Sequence, residues 1–77
     1  MNLAQLQQWL NEHNVPQHFY SLLQGGLPNE SLCLVCENQI WQVYYCERGQ
    51  KNGLKSFRSE EEACLYFQKK MRKYTTP

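Results

Sequence analysis

Trp41-Gln-Val-Tyr-Tyr-Cys-Glu-Arg-Gly49 is the stretch that decides the fold, together with Phe57-Arg-Ser-Glu-Glu-Glu-Ala63 shortly after it. In the first stretch, the side chains of Trp41, Val43 and Tyr45 alternate with those of Gln42 and Tyr44. This is the pattern of a strand with one face against a core. In the second, Ser59 stands three residues before Glu62, the spacing of a capping box at a helix N-terminus. The two stretches therefore predict a strand followed by a helix that begins at a defined residue.

The segment upstream of this strand predicts a β-hairpin. A two-residue loop at Asn38-Gln39 would join strands at 31–37 and 40–47, with Leu34 facing Val43. Because side chains alternate between the two faces of a sheet, this register places apolar side chains of both strands on the same side. We expect the core to form on that side.

A third strand is predicted by cross-strand pairing. If Tyr45 faces Phe57 and Glu47 faces Lys55, the strands gain one aromatic pair and one pair of opposite charges. The predicted elements of this half of the chain are strands at 31–37, 40–47 and 54–58, a five-residue loop at 49–53 and a helix at 59–73.

The N-terminal segment predicts two helices. Asn2 is a plausible N-cap, and an apolar stripe at helical spacing runs from there to about His13. Pro16 suits the first turn of a short second helix that continues to Leu23 and ends at Gly25-Gly26. The fold class expected for residues 1–77 is therefore a single α+β domain: a three-stranded antiparallel β-meander with N-terminal helical segments and a C-terminal helix packed on it.

Length and composition limit the function classes. A chain of 77 residues has a thin core, because a domain near this size buries only about 60% of the surface that its unfolded chain exposes. An extended substrate cleft is not expected. The first ten residues contain no Lys or Arg and no segment approaches the roughly 20 apolar residues of a membrane span, so we expect a cytoplasmic protein without a secretory signal.

Four cysteines raise the question of a metal site or disulfides. In the predicted hairpin Cys33 and Cys36 point to opposite sides of the sheet, which is unsuitable for two thiolates that bind one zinc ion. Cys46 and Cys64 complete the set, and reduced thiols suit a cytosolic protein. We expect no metal and no cofactor.

The pattern W-x-V-Y-Y-x-E-R-G, followed after a variable loop by F-x-S-E-E-E-A-C, resembles small bacterial immunity proteins of polymorphic-toxin and contact-dependent growth inhibition systems. The similarity covers about the C-terminal two thirds of the chain, and Gly25-Gly-Leu-Pro-Asn-Glu-Ser31 fits as the entry to the first strand. The resemblance implies an antitoxin that binds a cognate toxin domain, such as a nuclease, and occludes its active site. An inhibitor of this kind is not an enzyme, and the chain contains no Asp for a Ser/His/Asp triad.

Charge is distributed unevenly along the chain. Residues 1–47 contain four glutamates and no Lys or Arg, whereas residues 48–77 contain all eight basic residues and three glutamates. The hairpin register places Glu30 beside Glu47, which predicts an acidic rim for a basic toxin surface. Two alternatives need no partner: Lys55 relieves Glu47, or Glu30 already lies in the loop after Pro28. The predicted partner-binding residues are Glu30, Glu37, Tyr44, Glu47, Arg48, Gln50, Lys51 and Asn52.

Two alternatives stay open at this point. The sheet face that carries Tyr44 is either an exposed patch for a partner or a surface that the N-terminal helices cover. The rival function is a nucleic-acid-associated or regulatory domain, although a sequence pI near 7.7 gives it little support. We expect a monomer or weak dimer in either case. The rival would use Lys55, Lys69, Lys70, Arg72 and Lys73. The last four, as the basic end of a helix, also have a purely structural explanation in the helix dipole.

Overall fold

The computed structural model describes residues 1–23 and 30–74 of the chain. Its elements, in chain order, are α1 (Leu3–Glu12), β1 (Tyr20–Leu22), β2 (Ser31–Glu37), β3 (Ile40–Glu47), β4 (Gln50–Phe57) and α2 (Glu60–Met71), with single 3-10 turns at Gln17–Phe19 and Arg72–Tyr74. The predicted α+β class is confirmed. None of the helices within the described ranges is long and apolar enough to cross a membrane.

The sheet has four strands in the order β1-β2-β3-β4, so the predicted three-stranded meander is wrong in its strand number. β1 runs parallel to β2, with Tyr20 opposite Leu32, and it takes the place of the predicted second helix. A strand of three residues is too short to show a clear period of two, and its pairing with a distant strand is a tertiary contact that no local pattern reports. The predicted end of that helix at Gly25-Gly26 lies outside the described residues.

The predicted hairpin of β2 and β3 is confirmed residue by residue. Leu34 faces Val43 and Glu37 faces Ile40, as the two-residue loop requires. The loop residues Asn38-Gln39 have φ angles of 53° and 66°. Positive φ at both positions defines the type I′ turn, whose twist matches that of the strands it joins.

The predicted register of the third antiparallel strand is wrong. β4 begins at Gln50, which faces Glu47, because the turn is the two-residue Arg48-Gly49 and not a five-residue loop. The φ angles of this turn, 53° and 75°, again have the signs of a type I′ turn. Glu47 therefore has no lysine opposite it; Lys55 faces Val43 instead.

A β-bulge in β4 changes which face of the sheet the later residues of that strand point to. Near the turn Tyr45 faces Asn52, but farther along Val43 faces Lys55, so β4 contains one extra residue between these pairs. Gly53, at a φ of 61°, lies in this extra step, where a left-handed conformation favours glycine. Without the bulge Phe57 would pair with Ile40, the residue before Trp41, and point away from the core.

Both helices begin and end at residues with clear capping chemistry. Asn2 and Gln5 form a capping box at the start of α1. The end of α1 is a Schellman motif, in which Val15 N donates to Leu10 O at 3.0 Å and Asn14 has a φ of 55°. Ser59 Oγ accepts a hydrogen bond from Glu62 N at 3.2 Å, which confirms the predicted N-cap of α2.

The core lies between one face of the sheet and both helices. Glu60 Oε2 at the start of α2 accepts a 2.7 Å hydrogen bond from Leu3 N, so the two helix N-termini are tied together across most of the chain. Trp41 and Phe57 are half-buried at the margin of this core. The buried core cluster contains Leu6, Leu10, Val15, Leu32, Leu34, Val43, Ala63, Cys64, Phe67 and Met71.

We predict that Phe67→Ala lowers the free energy of unfolding by about 3–5 kcal/mol, the range for large aromatic deletions in cores. Leu65→Ala on the same helix is the control, because that side chain is 47% exposed and its loss should cost within about 0.5 kcal/mol. Urea denaturation followed by circular dichroism measures both. If Phe67→Ala does not fold, Phe67→Leu should fold with a loss of about 1 kcal/mol. Equal effects at positions 65 and 67 would contradict the packing of α2.

We also predict that Gln39→Gly stabilises the protein. A left-handed residue with a side chain is strained by roughly 1–2 kcal/mol, and glycine removes that strain while adding some unfolded-state entropy. The net gain should be about 0.5–1 kcal/mol in the free energy of unfolding. Gln42→Gly, within β3, should instead destabilise. A neutral or destabilising Gln39→Gly would argue against the type I′ turn.

Candidate interaction surface

The β3–β4 hairpin end, defined as residues 47–52 together with Glu30, brings together six of the eight predicted partner-binding residues. The Arg48-Gly49 turn places Glu47 and Gln50 side by side, and Lys51 and Asn52 follow on β4. All of these side chains are exposed. Glu30 joins them because its backbone N donates a 2.6 Å hydrogen bond to Cys46 O, one residue before Glu47.

The negative charges of Glu30 and Glu47 are not offset by a lysine opposite them on β4. The β2–β3 ladder ends at Ser31 opposite Cys46, and Glu30, at a φ of 57°, lies in the turn before the strand with its backbone N bonded to Cys46 O, one residue from Glu47. Lys55 lies farther along β4, opposite Val43. Two like charges at neighbouring positions are unfavourable in the free protein, and a cationic partner would remove that repulsion.

Tyr44 is not available to a partner as an exposed patch. It lies on the outer face of the sheet, which we define as the face opposite α1 and α2, and only 2% of its surface is exposed. The prediction of an exposed patch centred on Tyr44 is therefore wrong. The alternative, burial by the N-terminal helices, is wrong as well, because α1 places Leu6 and Leu10 in the core on the other face. Among the described residues, Tyr44 packs with Cys33 and Cys46 in a small second cluster.

This second cluster supports one side chain of the hairpin end. Lys51 faces Cys46 across the strands, and its Nζ lies 4.9 Å from the centre of the Tyr44 ring. A cation over an aromatic face at this distance is attracted by the ring quadrupole. Tyr44 therefore contributes to the surface indirectly, by holding Lys51, and not as a contact residue.

Burial keeps the Cys33 and Cys64 thiols and the Tyr44 phenol protonated. Desolvation raises the pKa of the Cys33 thiol, and the neighbouring Cys46 thiol raises it further. Desolvation also raises the pKa of Tyr44, with Cys33 as the next cause. In the main core burial raises the pKa of Cys64 to about 11, assisted by Glu60. None of these three groups supplies an anion or an activated nucleophile near neutral pH.

Glu37 is separated from the other predicted contact residues. It lies at the Asn38-Gln39 turn, at the opposite end of β3 from Glu47. At about 3.3 Å per residue, the length of β3 separates the two ends by roughly 23 Å. The exposed apolar side chain nearest to Glu37 in the register is Ile40, which is 39% exposed. A single small contact centred on the hairpin end does not include Glu37.

A pocket that was not predicted from the sequence lies beside the β3–β4 hairpin end. It has a volume of about 210 Å³ and lies between the start of β4 and the last turns of α2. Tyr66, Lys70 and Lys73 recur at spacings of four and three residues, which places them on one side of the helix. This spacing of Tyr66, Lys70 and Lys73 was the sequence signal for the pocket, but the helix dipole already gave an explanation for the two lysines. The pocket is lined by Leu32, Val43, Tyr44, Tyr45, Asn52, Gly53, Tyr66, Lys70 and Lys73.

The histidines have local roles in the structure. The His13 ring stacks on Trp9 with centroids 4.3 Å apart, and its Nδ1 lies 2.9 Å from Trp9 O. His18 meets Phe19 edge to face at 4.6 Å. Within residues 1–23 and 30–74, no three His, Cys, Asp or Glu side chains are grouped closely enough to hold a metal ion.

Comparison with protein-family models, with curated proteins and with solved structures gives no significant match. The function of this chain is therefore inferred from its own residues and their arrangement.

We predict that Cys36 is the fast-reacting thiol of the folded protein, because it is exposed while Cys33, Cys46 and Cys64 are buried. Titration with a chromogenic disulfide reagent at about pH 8 should give one fast equivalent and three slow ones, and all four should react in denaturant. Cys36→Ser should abolish the fast phase alone. A fast phase of two or more equivalents would show that the buried clusters open readily.

Proposed function

We propose that this chain is an immunity protein that binds a cognate bacterial toxin domain, most simply a nuclease, and neutralises it by covering its active site. It acts in the cytoplasm as a monomer or weak dimer. The proposal rests on the sequence resemblance and on one structural observation in particular. That observation is the β3–β4 hairpin end, where the exposed Glu47 has no lysine opposite it and the exposed Glu30 lies near it through the backbone hydrogen bond from Glu30 N to Cys46 O.

The charges of this surface suit a nuclease. A nuclease active site holds phosphates with lysines and arginines, so an inhibitor that covers it meets a cationic surface. Glu30 and Glu47 supply carboxylates for that surface, while Arg48 and Lys51 at the same end disfavour a partner of uniform positive charge. Complementary charge of this kind raises the association rate and fixes the docking orientation.

The shape of this region supports inhibition by occlusion. β4 is an edge strand, and every residue from Gln50 to Ser56 is exposed. It presents polar and charged side chains on a rigid two-stranded support, with the buried Tyr44 cluster behind Lys51. A preorganised surface loses little entropy on binding, which favours a tight complex.

The test is a charge reversal at the hairpin end. Glu30→Lys with Glu47→Lys should weaken binding to the toxin domain encoded by the neighbouring reading frame by at least about tenfold, equivalent to about 1.4 kcal/mol. The matched control is Glu12→Lys with Glu37→Lys, which makes the same change in net charge at exposed positions away from the hairpin end. Calorimetry measures both affinities, and circular dichroism verifies that both variants fold.

Three outcomes would contradict the proposal. Equal losses in the test and control variants would show that only net charge matters. Unchanged toxin affinity in the test variant would show that Glu30 and Glu47 are not part of the interface. The rival function would be favoured if no toxin domain binds while a mixed-sequence oligonucleotide does, with salt-dependent affinity that is lost on reversal of Lys69, Lys70, Arg72 and Lys73.

A further inference from the structure

The pocket between β4 and α2 combines an apolar base with a cationic rim. Leu32 and Val43, which are buried, form its base, and the half-buried rings of Tyr45 and Tyr66 form walls. Lys73 and Asn52 are exposed at the rim, and Lys70 is half-buried there. A charged group that enters the pocket would therefore meet hydrogen-bond donors around a partly desolvated base.

The lysines of this pocket have no carboxylate partner among the described residues. The lining contains two ammonium groups and no acidic side chain. Lys70 Nζ lies 5.4 Å from the centre of the Tyr66 ring, which orients the ammonium group without neutralising it. Two neighbouring cations repel each other, and an anion between them would relieve that repulsion.

We infer that this pocket is a receptor for an acidic side chain, Asp or Glu, of the protein partner. The inference rests on the proposed function and adds a second contact to it. Lys70 and Lys73 bind the carboxylate, the Asn52 amide adds a donor, and the tyrosine rings contact the methylene groups.

The size of the pocket favours one side chain over a larger ligand. Its volume of about 210 Å³ lies below the roughly 300–1,000 Å³ of pockets that hold small organic molecules. A single carboxylate with its methylene groups needs far less space than a nucleotide. The pocket is therefore suited to an anchor residue that projects from a larger surface.

The neighbouring acids favour a protein over a nucleic acid. Glu47 follows Tyr45 by two residues on β3, roughly 7 Å along the strand, and Glu30 N bonds to Cys46 O next to it. A polyanion that reached Lys70 and Lys73 would pass close to these carboxylates. A folded protein carries both signs of charge, so its acidic side chain can enter the pocket while its basic residues meet the hairpin end.

The first experiment tests the pocket without the toxin. Glutarate is titrated into the labelled protein, and the amide resonances of Asn52, Gly53 and Tyr66 are followed by NMR. These resonances should shift in the wild type, with shifts at least threefold smaller in Lys70→Met. Lys69→Met is the matched control, since it removes the same charge from the adjacent position of the same helix but from outside the pocket. Equal shifts in both variants would overturn the inference.

The second experiment measures the affinity for the toxin domain. Lys70→Met with Lys73→Met should weaken binding at least tenfold, whereas Lys69→Met should change it less than threefold. The pocket inference would be overturned, and the proposed function left intact, by one combination of results: unchanged toxin affinity in the Lys70→Met, Lys73→Met variant and reduced toxin affinity in the Glu30→Lys, Glu47→Lys variant. Absence of toxin binding by the wild type would defeat the proposed function. A mixed-sequence oligonucleotide that competes with glutarate for the pocket and binds more tightly would overturn the choice of a protein partner.

Discussion

The left-handed turn at Asn38-Gln39 is the constraint on which the rest of the structure depends. A two-residue turn with positive φ at both positions allows one register for β2 and β3. A slip of one residue would put Leu34 and Val43 on opposite faces of the sheet and break up the apolar surface on which both helices pack. The helices contribute apolar side chains to a surface that this turn has already defined.

The bulge at Gly53 makes the second hairpin compatible with the first. The Arg48-Gly49 turn alone would send Phe57 to the outer face, and one extra residue in β4 returns it to the core side opposite Trp41. There the Phe57 ring lies 5.2 Å from the Tyr66 ring of α2, which links the end of the sheet to the last helix. A bulge also twists an edge strand and limits unwanted pairing with other chains.

The two surfaces proposed for binding follow from these same backbone features. The second turn brings Glu47 next to Gln50 and leaves Glu30 beside it, while the bulge brings Asn52 and Gly53 to the pocket that Lys70 and Lys73 complete. Acidic and basic contact groups therefore lie on adjacent parts of one surface. A partner that binds both parts is fixed in orientation by two contacts of opposite sign.

Local patterns in the sequence determined the β2–β3 hairpin, its register, and the start of each helix, because turn residues, alternation and capping side chains act within a few residues of one another. They also predicted Glu30 opposite Glu47 by continuing the hairpin register, but the ladder ends at Ser31, and Glu30 in the preceding turn donates to Cys46 O instead. Only the tertiary structure decided the strand Tyr20–Leu22, the bulge, the burial of Tyr44 and the pocket at Lys70. The strand, the burial of Tyr44 and the pocket depend on contacts between separate segments of the chain. The free energy of such contacts comes from packing and pairing partners that a local pattern does not contain.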